Sequence, residues 1–136
     1  MIFGNLQRRW QQEQPAIYDK ETHIVCLDIK SESQVQTEGD TPTVIEGFSF
    51  IPIEIDSQID YGHIKSQLIE AGFAQKDEFG LVMNAVDSVI TAITENDTIR
   101  GIKSALDSDD IKEFRDFCEF RQMCADAAHA VVESYQ

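Results

Sequence analysis

The chain of 136 residues is poor in basic residues and has no long apolar run. Lysine and arginine total 11 against 25 aspartates and glutamates, so the formal net charge is −14 at pH 7. Such a surface repels nucleic-acid phosphates and anionic lipid headgroups. We therefore expect no direct nucleic-acid binding and no membrane association, and we expect the partners to be proteins.

Paired cysteines are also missing. Cys26, Cys118 and Cys124 are an odd number with no CxxC spacing. Small secreted scaffolds usually carry an even set, so these three are expected to be reduced thiols in a cytoplasmic protein. The first ten residues lack the apolar core of a signal peptide, and no stretch approaches the roughly 20 apolar residues of a membrane span.

Motifs for catalysis or ligand binding are absent as well: there is no GxSxG, no P-loop, no GxGxxG and no HExxH. Cys118 and Cys124 on one helix point about 120° apart, which does not suit a zinc site with His129. Residues 107–110 lack the glycine of a calcium loop. The sequence therefore predicts no metal, no cofactor and no enzymatic activity.

Apolar alternation predicts strands over residues 23–55. Val25, Leu27 and Ile29 share one face of a strand. Residues 37–42 are typical of a turn because Gly39 tolerates positive φ, and Pro52 indicates an edge position or a bulge. We expect a small antiparallel meander of three or four strands.

From residue 59 the apolar period becomes helical. The pattern predicts a helix that begins at the N-cap Asp60 and is ended by Gly72 as its C′ residue, a second over residues 76–95, a short third from Asp97 or Thr98 to Leu106, and a long terminal helix from an N-cap at Asp107. The terminal helix carries a ladder at 3–4 spacing: Ile111, Phe114, Cys118, Ala125, Ala128, Val132 and Tyr135. The core positions expected where the second helix packs on this one are Val82, Val86, Val89, Phe114, Phe117 and Val132.

The fold class is therefore α+β, with a small N-terminal antiparallel β-meander followed by three to four helices, the last one long. We expect a single domain over residues 1–136. It comprises an arm (1–22), a β part (23–55) and a helical part (59–136).

Four residues are candidates for protein interaction. Arg121 interrupts the ladder of the terminal helix, so we expect it to pair with an acid from another helix, with a snorkelling position as the alternative. Arg8, Arg9 and Trp10 lie in an acid-free segment, residues 1–12. This basic arm is expected to dock on its own domain or on a neighbouring copy, and the second case makes the protein a homo-oligomer.

Residues 59–71, with Phe73 and the acidic start at 76–78, resemble small proteins of phage and prophage gene clusters in Bacteroides-type bacteria. Those proteins share a short β N-terminal part, a Tyr-x-x-Ile helix, a second helix opening with acids, and a terminal helix with aromatic residues and arginine. The last piece corresponds to residues 114–121 here. The resemblance covers residues 59–125 and brings no catalytic residues. It implies a virion-associated or assembly-related protein, located in the host cytoplasm or in the virion.

Three hypotheses for function follow. The first is a non-enzymatic structural or protein-interaction protein of phage or prophage origin, with phage proteins as partners. The alternative is an acidic inhibitor or DNA mimic that blocks a basic nucleic-acid-binding protein. The third is a small enzyme that uses His63 with Tyr61 for acid–base chemistry.

The charge balance generates a first prediction. Like charges on a small body repel one another, so moderate salt should raise the melting temperature of the protein near neutral pH. Thermal unfolding at increasing sodium chloride concentration checks this. A flat or falling curve would mean that the acids are already compensated locally.

Overall fold

A long antiparallel hairpin is the largest element of the sheet. The structure, a computed structural model, describes residues 6–73 and 75–136, without the side chains of residues 38 and 75–77. Two short strands, β1 (Arg9–Gln11) and β2 (Tyr18–Asp19), precede the hairpin strands β3 (Ile24–Glu38) and β4 (Thr41–Glu54). The hairpin reverses at Gly39, whose φ of 67° suits glycine.

The sheet has four antiparallel strands in the order β1-β4-β3-β2. Both outer strands come from the segment predicted as an arm, so this segment extends the sheet on either side of the hairpin. The polar stretch 31–36 continues β3 and is paired with β4 along its whole length. The antiparallel sheet followed by four helices confirms the α+β prediction.

A bulge interrupts the hairpin near the middle of β3. Leu27 pairs with Ile51 and Lys30 with Ser49, so β3 has one extra residue at this point. Asp28 lies there with a φ of 50°, a conformation that non-glycine residues seldom adopt. The bulge shifts the alternation of inward- and outward-facing side chains along β3. This explains why Val25 and Leu27 are buried as predicted whereas Ile29 is only half-buried.

Four helices follow the hairpin: α1 (Tyr61–Gly72), α2 (Gln75–Glu95), α3 (Ile99–Ala105) and α4 (Asp109–Glu133). Asp60 caps α1 as predicted, because its Oδ2 accepts a hydrogen bond from the His63 backbone N–H at 3.0 Å. The predicted cap at Asp107 is wrong by one residue. Ser108 holds the N-cap position of α4.

The core lies between one face of the hairpin and the helices α1 and α4. The sheet contributes Val25, Leu27, Ile51 and Ile53, and Ile55 follows directly after β4. The helices contribute Ile64, Leu68, Phe120, Cys124, Ala127, Ala128 and Val131.

The face that α4 buries differs from the predicted ladder by one residue. The buried residues of α4 are Phe117, Phe120, Cys124, Ala125, Ala127, Ala128 and Val131. Cys118 and Arg121, both members of the predicted ladder, are exposed. The helix has two adjacent apolar ladders with the same period, and the uninterrupted one faces the core because Arg121 is too costly to bury.

β2 holds the C-terminal end of the chain against the sheet. The Tyr18 hydroxyl lies 2.9 Å from that of Tyr135, and burial raises the pKa of Tyr18 to about 12, with the neighbouring Tyr135 adding to the shift. Lys20 donates to the Ser134 carbonyl at 2.5 Å and lies over the Tyr135 ring. These contacts place Tyr135 at the sheet rather than in the core, and it remains 45% exposed.

Gly72 allows α4 to pack tightly on α1. It is the last residue of α1, and Phe73 holds the C-cap position, so the predicted role of Gly72 beyond the helix end is wrong. A Cβ on Gly72 would lie 2.5 Å from the Phe120 ring. Glycine is therefore needed for close approach of the two helices and not for a left-handed backbone.

Two substitutions in α1 test this contact. Gly72→Ala should lower the free energy of unfolding by about 1–3 kcal/mol, because the added methyl group overpacks the core against Phe120. Gly62→Ala is the matched control, since the nearest atom to its Cβ is an Asp60 oxygen at 3.6 Å. The control should be neutral or stabilising by up to about 1 kcal/mol, because alanine is the better helix former.

Urea unfolding of both variants gives the comparison. Equal effects of the two substitutions would contradict the packing described here.

Candidate interaction surface on helix α2

Helix α2 carries a row of large apolar side chains that the rest of the chain leaves open to water. Its members are Phe79 (70% exposed), Met83 (42%), Val86 (43%), Ile90 (54%) and Ile93 (57%). Val89 lies beside them at 38%. We call the first five residues the α2 seam. The predicted burial of Val86 and Val89 is therefore wrong, whereas Phe117 is buried as expected and Val82, Phe114 and Val132 are half-buried.

The side of α2 that faces the protein carries Ala85, Ser88 and Ala92 together with Leu81, which is half-buried. Ala85 and Ala92 are its buried positions among the described side chains, at 5% and 1% exposure. They lie about 130° around the helix from the seam at 100° per residue. Ser88, on the same side, donates to Asp110 of α4 at 3.2 Å. Alanines let α2 approach α4 closely, and they leave the larger apolar side chains on the outside.

The seam is almost free of charge. Between Phe79 and Thr94 the only charged residue is Asp87, although 26% of the whole chain is charged. A helix face that served only for solubility would carry acids or lysines at these positions. The exposed row is therefore unlike the rest of this acidic surface.

The arm residues lie on their own chain. Arg8 donates to the Asp28 carboxylate at 2.8 Å, to the Asp28 backbone carbonyl at 2.7 Å and to the Ser49 hydroxyl at 3.0 Å. Its guanidinium thus links both strands at the bulge, and these charge-assisted bonds help to hold the unusual Asp28 backbone. Arg9 is exposed in β1 opposite Phe50.

Trp10 lies over the hairpin in the same strand. Its indole N–H donates to the Glu32 carbonyl at 2.8 Å, and its ring lies on Gly47 of β4. A Cβ on Gly47 would overlap both this ring and the Gln11 carbonyl oxygen. The docking of the arm therefore depends on the absence of a side chain at position 47.

Arg121 is exposed on α4, so the prediction of a buried ion pair is wrong. It lines an open cleft of about 500 Å³ together with Tyr61, Lys65, Glu70 and Glu78. Charges of both signs surround this cleft, and one wall is formed by α1. The exposed position avoids the cost of burying an unpaired guanidinium, and Phe120 faces inward instead.

The residues proposed for acid–base chemistry are not assembled as one group. His63 Nε2 lies 2.7 Å from Asp56 Oδ2, and this contact is the main cause that lowers the pKa of the Asp56 carboxyl. Tyr61 instead stacks on His129 of α4, with ring centroids 4.1 Å apart. The Tyr61 ring and the His63 imidazole thus have different partners.

The cysteines occupy three different environments. Cys124 is fully buried, and this burial raises the pKa of its thiol to about 12. Cys26 is half-buried with a raised pKa, again from burial, whereas Cys118 is exposed. Among the described residues no three histidine, cysteine or acidic side chains lie close enough together to hold a metal ion.

Comparison of the chain with protein-family models, curated proteins and solved structures finds no significant match. Across 6–73 and 75–136, none of the helices combines the length and the apolar character needed to cross a bilayer. The functional inference therefore rests on the geometry of the chain itself.

The α2 seam was accessible to sequence reasoning through one signal. Its residues are apolar at intervals of four, three, four and three, while the half of the helix that faces α4 offers alanines. A helix with large residues on one side and small residues on the other has two packing surfaces. The sequence prediction placed Val82, Val86 and Val89 in the core, because the apolar period alone does not show which side of the helix the protein covers.

Fluorescence of Trp10 tests the docking of the arm, because it is the only tryptophan in the chain. The contacts with Glu32 and Gly47 lie within one chain, so the emission should be blue-shifted and independent of protein concentration. Gly47→Ala should shift the emission to the red. Reddening of the native protein on dilution would contradict this arrangement and show that the arm docks on a neighbouring copy.

Proposed function

We propose that this protein is a non-enzymatic structural or protein-interaction protein that binds other protein chains through the α2 seam. One observation carries the proposal: five large apolar side chains, 42–70% exposed, form a continuous row on one helix. The largest apolar patch that a monomeric protein leaves in water is commonly about 300–600 Å², and it often has a function. Laying such a row into an apolar groove or against another helix is a common mode of protein recognition.

Covering the α2 seam would also contribute free energy to binding. The exposed parts of these side chains amount to on the order of 500 Å² of apolar surface. At about 25 cal/mol per Å², covering this surface favours binding by on the order of 10 kcal/mol. Association costs are of similar size, so a second apolar surface on the partner is needed for stable binding.

The phage or prophage context rests on the resemblance of residues 59–125. That resemblance suggests assembly partners encoded in the same gene cluster, and the genes flanking this one would test it. Such a role needs an interaction surface and no active site. It also suits the separate placement of His63 beside Asp56 and Tyr61 beside His129.

The acidic inhibitor remains the alternative hypothesis. Asp109 and Asp110 occupy the first turn of α4, where acids stabilise the helix dipole, and Asp107 lies 3.7 Å from Lys112. These acids have a local structural role, so they do not favour mimicry of DNA over a solvated surface.

Photo-crosslinking in the native host tests the proposal. A photoreactive phenylalanine analogue in place of Phe79 should give protein adducts larger than the 15.4 kDa chain. The same analogue in place of Val44, which is 65% exposed on the hairpin, is the matched control and should give few adducts. Adding Ile90→Glu should abolish the adducts from position 79.

No adducts from position 79 above those of the control would contradict an interaction role for α2. Mass spectrometry of the adducts identifies the partner. Adducts with a second copy and adducts with a different protein would both support the proposed function.

A further inference from the structure

We propose that the α2 seam binds the α2 seam of a second copy, so that the protein forms a homodimer through two paired helices. This inference rests on the proposed function, because it names the partner of the same surface. It concerns a different surface from the arm, which is already docked on its own chain through β1 and Arg8.

The spacing of the seam residues points to a helix as the partner. Phe79, Met83, Val86, Ile90 and Ile93 follow one another at intervals of four, three, four and three residues. The mean interval is 3.5 residues, which is the repeat that keeps a row of side chains facing a second helix in a coiled coil. A stripe confined to these positions is the narrow seam of helix-on-helix packing, whereas a helix on a globular core buries a wider stripe.

The seam also suits a copy of itself. Two-fold symmetry brings the same patch of both subunits together, so a self-complementary surface has to interlock without opposing like charges. Along the seam each copy offers uncharged apolar side chains, with Asp87 at the flank. Knobs of one row fit between those of an identical row, as in homodimeric coiled coils.

The available area suits a reversible dimer. Stable complexes bury roughly 800 Å² per partner. The seam offers on the order of 500 Å² of exposed apolar surface per copy, and the flanking side chains, Val82 and Val89 among them, add to it on contact. The seam spans about 21 Å along the helix axis at 1.5 Å per residue, which is the length of about two heptads.

The net charge of the chain gives the dimer a distinctive salt dependence. Each copy carries a formal charge of −14, so two copies repel one another outside the seam. Salt screens this repulsion and leaves apolar contact intact. Association should therefore strengthen with sodium chloride, whereas an interface held by salt bridges would weaken.

Sedimentation equilibrium or light scattering on the purified full chain tests the proposal. The weight-average mass should rise from 15.4 kDa towards twice that value as the protein concentration increases, and the transition should move to lower concentration in higher salt. Val86→Glu or Ile90→Glu should weaken dimerisation at least tenfold, because a charge would be buried in the seam.

Val35→Glu is the matched control. Val35 is also an exposed valine, at 65%, and lies on the hairpin far along β3, so this variant adds the same charge without touching the seam. It should dimerise like the native chain. Ile90→Lys makes the net charge less negative and should still disrupt the dimer. This result would show that the disruption comes from a charge buried in the seam and not from stronger repulsion between the two copies. Circular dichroism of each variant verifies that the subunit is folded.

A monomer at every concentration and salt level would overturn the proposal, and so would a dimer that survives both Val86→Glu and Ile90→Glu. In the first case, adducts from position 79 with a different protein would still support the proposed function. Absence of both dimer and adducts would overturn the two together.

Discussion

The contact of Phe120 with Gly72 is the constraint on which the arrangement of the helices depends. Because Gly72 has no side chain, α4 approaches the end of α1 closely enough for the Phe120 ring to lie in the core. The neighbouring Phe73 lies against the same ring, with centroids 5.4 Å apart. With Phe120 inward, the rotation of α4 is settled: Cys124 and Val131 follow on the same face, and Arg121 faces the solvent.

A second constraint acts at the bulge of β3. The extra residue at Asp28 changes which side chains of the strand face the helices, and Arg8 bonds both to Asp28 and to Ser49 on the opposite strand. Ser49 is buried, so its hydroxyl needs a partner, and Arg8 provides one. Arg8 thus stabilises the irregular part of the hairpin, and residues 9–11 and 18–19 of the arm are strands of the same sheet.

With these two contacts in place, side chains of the hairpin, α1 and α4 fill the core. Little of the core is left for the side chains of α2. Helix α2 packs on the rest of the protein through Ala85 and Ala92, which are buried but contribute little apolar surface because alanine is small. The five seam residues stay exposed on the outer side of the helix, while Leu81 and Val82 are half-buried. The proposed interaction role requires an apolar surface that stays exposed in the free chain, and the α2 seam is such a surface.

Local signals were readable from the sequence because they act within a few residues. The cap at Asp60, the turn at Gly39 and the existence of all four helices depend on nearby backbone geometry and on the apolar period. Tertiary structure alone decided which of two adjacent ladders on α4 faces the core and which side of α2 faces water. An apolar residue has the same period whether its partner is its own core or another chain, so periodicity identifies packing surfaces but not whether the same chain or a second chain covers them.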